Sequence, residues 1–106
     1  MTPYSIHYRL GNEKDRESYD QRYRALQEAI DILGRELGLH VDATSTVWMR
    51  SSLDGETIAK VLKIRVDPRH DVVLVKPADA PIIFSVGDDI IPFEFEIQTG
   101  IKVIPV

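Results

Sequence analysis

The chain has 106 residues, of which 43% are hydrophobic, a formal net charge of −4 and no cysteine. This length indicates one domain with a single modest core. The lack of cysteine excludes disulfides and cysteine-ligated zinc sites and is typical of a reducing compartment. No apolar run approaches the ~20 residues of a membrane helix, and the N-terminus lacks a secretory pattern. We therefore expect a cytoplasmic globular protein without membrane contact.

The acidic balance argues against a surface built for broad phosphate contact, which requires concentrated Lys and Arg. Basic residues are frequent in the first third of the chain, but acids are interspersed among them. The basic residues there are Arg9, Lys14, Arg16, Arg22, Arg24 and Arg35. This mixture favours a solvated helix face over a nucleic-acid-binding patch.

The first third of the chain predicts a strand followed by a helix. From Tyr4 to Leu10, apolar residues alternate with polar ones, which is typical of a strand with one buried face. A stripe of apolar residues at helical spacing predicts a helix from Ser18 to Leu37. Ser18 is the expected N-cap, and Gly38 is expected to end the helix in a left-handed conformation.

The middle of the chain predicts strands around a second helix. The segment Leu39–Arg50 fits one kinked strand or two short ones. A helix is predicted from Asp54 to Ile64, with Asp54 as N-cap. The unbroken apolar run Val72–Val75 predicts a strand that is buried on both faces. Because one layer of helices covers only one face of a sheet, we expect a second subunit on the other face, and hence a homodimer.

After a stiff linker at residues 77–81, the last part of the chain predicts three strands: Ile82–Val86, Ile91–Ile97 and Ile101–Val106. In the second of them, apolar and polar residues alternate from Phe93 to Gln98. Residues 1–76 thus form the predicted core, and residues 77–106 a β-rich C-terminal extension of the same domain. The expected fold class is α+β, a ferredoxin-like sandwich (β-α-β-α-β) with an antiparallel sheet, two helices on one face and the β extension.

Several residues and their spacing carry a family resemblance over Tyr4–Lys76. They are the first strand YSIHYRL, Tyr23 and Leu26 in the first helix, Ser45-Thr46 near Trp48, Leu53 with Glu56, Ile58 and Leu62 after it, and Asp67 and Asp71 before the last core strand. In this pattern the chain resembles the small CRISPR-associated spacer-acquisition nucleases and their SinR-like and VapD-like relatives. The resemblance implies a dimer that shares a divalent-metal site.

The chain departs from that family where the metal would be held. The resemblance implies an Asp directly after the Tyr near the end of the first strand, but here Arg9 follows Tyr8. Arginine has no acceptor atom and stays protonated, so it cannot ligate a cation. Two such residues in a dimer would repel Mg²⁺ and attract phosphate or carboxylate groups instead.

Other residue patterns assign no catalytic residue, no metal site and no cofactor. The pairs Asp67/Asp71 and Asp88/Asp89 are better explained as turn residues than as metal ligands. The three histidines, His7, His40 and His70, lack the helical spacing of a metal motif. No glycine-rich phosphate loop or nucleophile elbow is present.

The candidate binding or interface residues are Ser5, His7, Arg9 and Trp48. They fit a non-catalytic, dimeric binding or assembly protein that recognises nucleic acid or another protein. The alternative, implied by the resemblance alone, is a divergent metal-dependent endoribonuclease or deoxyribonuclease. In that case Mg²⁺ or Mn²⁺ would be needed.

Overall fold

The computed structural model describes residues 1–11, 16–35, 38–43, 45–87 and 92–106. Within these ranges the chain is an α+β fold with a six-stranded mixed sheet and three helices. The elements in chain order are β1 (Thr2–Arg9), α1 (Arg16–Leu33), β2 (His40–Ala43), β3 (Thr46–Ser51), α2 (Gly55–Lys63), β4 (Val72–Pro77), β5 (Ile82–Val86), α3 (Pro92–Thr99) and β6 (Lys102–Pro105).

The strand order in the sheet is β2-β3-β1-β4-β5-β6. The central strand β1 pairs antiparallel with both β3 and β4, and β5 pairs antiparallel with β4. The predicted all-antiparallel sheet is wrong at one edge, because β6 lies parallel to β5. A parallel neighbour requires a crossover connection, and α3 provides it.

Helices α1 and α2 pack on one face of the sheet and enclose the core. The apolar residues of β1 alternate, as predicted, so that Tyr4, Ile6 and Tyr8 are buried. The helices contribute fully buried Leu26, Ile30, Ile58 and Leu62 to the same cluster. Fully burying an aliphatic side chain of this size stabilises the fold by about 1.5–3 kcal/mol.

The boundaries of α1 differ from the prediction. Ser18 is not the N-cap but lies inside the helix, where its Oγ accepts a bond from Arg22 Nε at 3.3 Å. The helix ends at Leu33. The next residue is Gly34, where a Cβ would lie 2.0 Å from the Leu39 side chain, so this position has no room for a larger residue. Gly38 has the expected positive φ, 87°, in the following turn. Residues 36–37, predicted as the last helical residues, lie outside the described part of the chain.

The predictions for β2, β3 and α2 are confirmed in the described part of the chain. Residues 39–51 contain two short strands, β2 and β3. Asp54 is the N-cap of α2, and its Oδ1 accepts the N–H of Thr57 at 2.8 Å. Ile58 and Leu62 are buried.

The predicted strand at Ile91–Ile97 is wrong, because residues 92–97 belong to helix α3. Ile91 lies outside the described residues. Pro92 occupies the first helical position, which suits its fixed φ and missing N–H. Gly100 follows the helix with φ 70°, and its N–H donates to the Glu96 carbonyl at 2.8 Å. Phe93 and Ile97 are four residues apart and share one exposed helical face, at 71% and 69% exposure. The extension is therefore β-α-β.

Strand β4 is fully buried on one face and partly covered on the other. Val73 and Val75 are fully buried, whereas Val72 and Leu74 are half-buried. The predicted two-sided burial thus holds only in part within the described chain. On the sheet face opposite α1 and α2, Ile83 of β5 and Val103 of β6 are buried. A right-handed crossover places α3 over this end.

The outer edge of β6 offers few donors for another strand. The N–H of Val103 points away from β5 and donates to Glu96 Oε1 of α3 at 2.9 Å. The next outward residue, Pro105, has no N–H. Just before the strand, the N–H of Ile101 donates to Thr99 Oγ1 at 3.1 Å. The opposite edge of the sheet is β2, where Val41 is 63% exposed.

Candidate functional site

The structure brings all four sequence-predicted residues together on the sheet face opposite α1 and α2. Ser5, His7 and Arg9 alternate with the core residues of β1, and Trp48 lies directly opposite Ser5 on β3. We call this surface the basic face. It consists of Ser5, His7, Arg9, Thr46, Trp48, Arg50, Leu74 and Lys76.

One row of the basic face crosses three strands and consists of Trp48, Ser5 and Lys76. Side chains opposite each other in such pairs have Cβ atoms about 4.5–5.5 Å apart. The two large neighbours therefore cover Ser5, which is 4% exposed, while Trp48 remains 42% exposed. The Ser5 hydroxyl is consequently shielded from a substrate, whereas the indole ring is available for stacking.

His7 lies in the next row, between Thr46 and Leu74. Its Nε2 is 3.1 Å from Ser5 Oγ, and its Nδ1 is 3.4 Å from Thr46 Oγ1. Burial lowers the pKa of His7, because a less solvated site disfavours the imidazolium form. The hydrogen-bond partners of the ring are thus hydroxyls, whereas catalytic histidines that act as bases are usually oriented by a carboxylate.

The charge of this surface is one-sided. Arg9, Arg50 and Lys76 are its cations, and strands β1, β3, β4 and β5 contain no Asp or Glu. Arg50 lies opposite Pro3, six residues from Arg9 along β1, so the cations span about 20 Å at ~3.4 Å per residue. This face therefore carries three cations and no acid from these strands, although the net charge of the chain is −4.

Sequence reasoning missed Arg50 and Lys76 as parts of this surface. The alternation within each strand was visible, but the register between β1, β3 and β4 was not. That register places Arg50 opposite Pro3, and Lys76 opposite Ser5. Lys76 also has a structural role, since its Nζ donates to the carbonyls of Pro77 and Ala80, at 2.7 Å each.

The candidate carboxylates of the β4 turn are structural, as the sequence favoured. Asp71 is 1% exposed and accepts N–H groups from Gly11 at 3.0 Å and Asp67 at 2.7 Å. Arg22 forms an ion pair with the same carboxylate and donates to the Gly11 carbonyl at 2.8 Å. Asp88 and Asp89 lie outside the described residues. In the part of the chain that is described, no three His, Asp or Glu residues are grouped to hold a metal ion.

A cleft of about 840 Å³ lies between α1 and the end of β1. Its walls include Tyr8, Tyr19 and Tyr23. Tyr19 and Tyr23 are stacked with ring centroids 6.2 Å apart, and Tyr23 meets Tyr8 edge-on at 6.3 Å. Arg9 lines both this cleft and a smaller hollow beside His7, so it borders the cleft and the basic face.

Comparisons with protein-family models, with curated proteins and with solved structures found no match to this chain. The resemblance to CRISPR-associated and VapD-like proteins therefore stays a prediction. Among the helices within the described ranges, none is long and apolar enough to cross a membrane.

Proposed function

We propose that this chain is a ferredoxin-like binding protein whose basic face holds single-stranded nucleic acid without cleaving it. The observation that carries the proposal is the combination of Arg9, Arg50 and Lys76 with the half-exposed Trp48 on strands free of acids. Proteins that bind single strands combine a positive track for the phosphates with aromatic rings on which bases stack.

The ferredoxin-like description is supported by the order of the first four strands, β2-β3-β1-β4, with α1 and α2 over one face. Neither α1 nor α2 covers the other face of β1 and β3. The end covered by α3 lies at β5 and β6, away from Trp48 and Arg50. A flat surface next to the central strand is thus accessible to an extended ligand.

The charge of the basic face favours a polyanion over a second copy of the same surface. If two copies stacked face to face, Arg9, Arg50 and Lys76 of both would approach each other. Like charges in contact are destabilising. The predicted homodimer remains a proposal, and this argument favours its contact through another part of the molecule.

Binding is favoured over hydrolysis by the geometry around His7. The neighbouring Ser5 hydroxyl is covered, and Arg9 stands where the resemblance implies a metal-binding Asp. The buried acid Asp71, which directly precedes β4, is paired with Arg22. In the described part of the chain, no observation therefore favours the alternative of a metal-dependent nuclease.

The single tryptophan provides a direct test, because Trp48 reports on the basic face alone. Titration with a single-stranded oligonucleotide is expected to quench its fluorescence. In calorimetry, Trp48→Leu is expected to weaken binding about tenfold, from the loss of ~1–3 kcal/mol of stacking, whereas Trp48→Phe retains most of the affinity. Arg50→Gln is expected to weaken binding, and Arg65→Gln, an exposed arginine on the other side of the molecule, is the matched control.

Two results would contradict the proposal. One is the absence of quenching and of binding heat at low salt. The other is equal affinity of the wild type, Trp48→Leu and Arg50→Gln. A parallel nuclease assay with Mg²⁺ and Mn²⁺, with Arg9→Asp alongside, separates binding from cleavage. Wild-type cleavage that a chelator abolishes would establish the nuclease in its place.

A further inference from the structure

The tyrosine-lined cleft has the composition of a site for a planar ring. The exposed ring of Tyr23, which stacks on Tyr19, presents an aromatic surface to the cleft. Gln27 Nε2 donates to the Tyr8 hydroxyl at 2.6 Å and so fixes the ring at the base of the cleft. Planar ligands gain from offset stacking on such rings.

The charges around the cleft select an anionic ligand. Arg9 and Arg24 both line it, and Asp20 is the one carboxylate among its described lining residues. An aromatic cage for a cationic ligand would place no arginine beside the rings, because two guanidinium groups repel a cation. Arginine is instead suited to phosphate, which its planar group binds through two parallel hydrogen bonds.

The tyrosine at the base of the cleft, Tyr8, is uncharged. The pKa of Tyr8 is raised, chiefly by burial, so its phenol stays protonated at neutral pH. The Tyr8 ring therefore contributes stacking surface and a hydroxyl group, and no negative charge that would oppose an anion.

We infer that this cleft binds an aromatic base that carries a phosphate group, the chemistry of a nucleoside monophosphate. Two sources supply such a group: a free nucleotide, or the phosphorylated end of a strand lying on the basic face, since Arg9 borders both surfaces. The second source rests on the proposed function, and the first does not.

Adenosine monophosphate is the probe, and calorimetry with the full chain is the measurement. Binding is expected for the wild type and is expected to weaken about tenfold in Tyr23→Leu, from lost stacking, and at least as much in Arg24→Gln. Arg65→Gln is expected to bind as the wild type does. Adenosine without phosphate is expected to bind more weakly. Circular dichroism of each variant confirms that it is folded.

A second experiment distinguishes the sources, with oligonucleotides that carry either a terminal phosphate or a terminal hydroxyl. A strand-end site predicts tighter binding of the phosphorylated form, and loss of this preference in Tyr23→Leu. A free-nucleotide site predicts binding of the monophosphate and no end preference.

Failure of this inference is distinguishable from failure of the proposed function. If oligonucleotides quench Trp48 but the monophosphate does not bind and no end preference appears, the cleft assignment is overturned and the basic face stands. Equal monophosphate affinity in the wild type, Tyr23→Leu and Arg24→Gln overturns it as well. If the monophosphate binds as expected but oligonucleotides do not quench Trp48, the cleft stands and the proposed function fails.

Discussion

At the scale of single residues, Asp71 connects three parts of the fold. Its buried carboxylate joins the end of β1 through Gly11, the turn before β4 through Asp67, and α1 through Arg22. A buried ion pair adds little net stability when intact, but removing one partner leaves an unpaired buried charge.

We expect Asp71→Ala to lower the free energy of unfolding by about 3 kcal/mol, because Arg22 and two backbone N–H groups lose their acceptor. Urea denaturation followed by circular dichroism measures this change. Asp79→Ala, in the exposed turn after β4, is the control and is expected to change stability by less than about 0.5 kcal/mol. Similar losses in the two variants would contradict the role assigned to Asp71.

His7 makes stability depend on pH. Burial lowers its pKa in the folded state, so the unfolded chain binds the proton more tightly. The free energy of unfolding should therefore fall as the pH drops below about 6.5, and this part of the slope should be missing in His7→Gln. Urea denaturation of both proteins between about pH 7.5 and pH 5.5 tests it. Identical slopes would show that His7 does not contribute.

At the scale of elements, the sequence predicted the features that depend on neighbouring residues and missed those that depend on distant ones. The β1 alternation and the Asp54 cap each involve neighbouring residues, and both predictions are confirmed. Helix α3 was missed because its alternating apolar residues fit a strand, although Pro92 at its first position and Gly100 after it are typical boundary residues of a helix. Arg50 and Lys76 depend on the register between distant strands, which no local pattern contains.

The turn after β5 provides a prediction at this scale. Gly87 and Gly100 both have positive φ, 94° and 70°, but a Cβ on Gly87 would lie 2.2 Å from the Asp71 carbonyl oxygen, while one on Gly100 would meet nothing within 4 Å. We expect Gly100→Ala to cost about 1 kcal/mol from backbone strain alone. Gly87→Ala should cost more, about 3 kcal/mol, because the backbone must also move. Thermal denaturation of both variants compares them, and equal losses would contradict the close approach at Gly87.

At the scale of the whole molecule, the distribution of charge matters more than its sum. The net charge of −4 correctly describes the average surface, yet the basic face carries three cations on acid-free strands. Composition alone argued against phosphate contact, because it does not record which residues share a face.

Salt dependence tests the contribution of these cations. If Arg9, Arg50 and Lys76 each neutralise one phosphate, the logarithm of the association constant should fall with the logarithm of salt concentration with a slope of about −2. Arg50→Gln should reduce the magnitude of this slope by about 0.7. Fluorescence titrations across a salt series measure it. A slope near zero for the wild type would exclude phosphate contact as the source of affinity.

The expected homodimer is tested by light scattering at micromolar concentration. A dimer has twice the 12.0 kDa mass of one chain. A monomer at that concentration would contradict the prediction drawn from the Val72–Val75 run. It would leave the nucleic-acid proposal intact, because the basic face is complete within one chain.

The blocked outer edge of β6 has a consequence for how copies of this chain add to one another. Polymerisation by strand addition requires two receptive ends on every unit, one to join the previous unit and one to receive the next. Here Glu96 and Pro105 leave few donors at the β6 edge of the described sheet, so β2 is the edge that another strand can join. Two copies joined through β2 would each have used that edge of the described sheet. Growth by this route would then stop at a pair of copies.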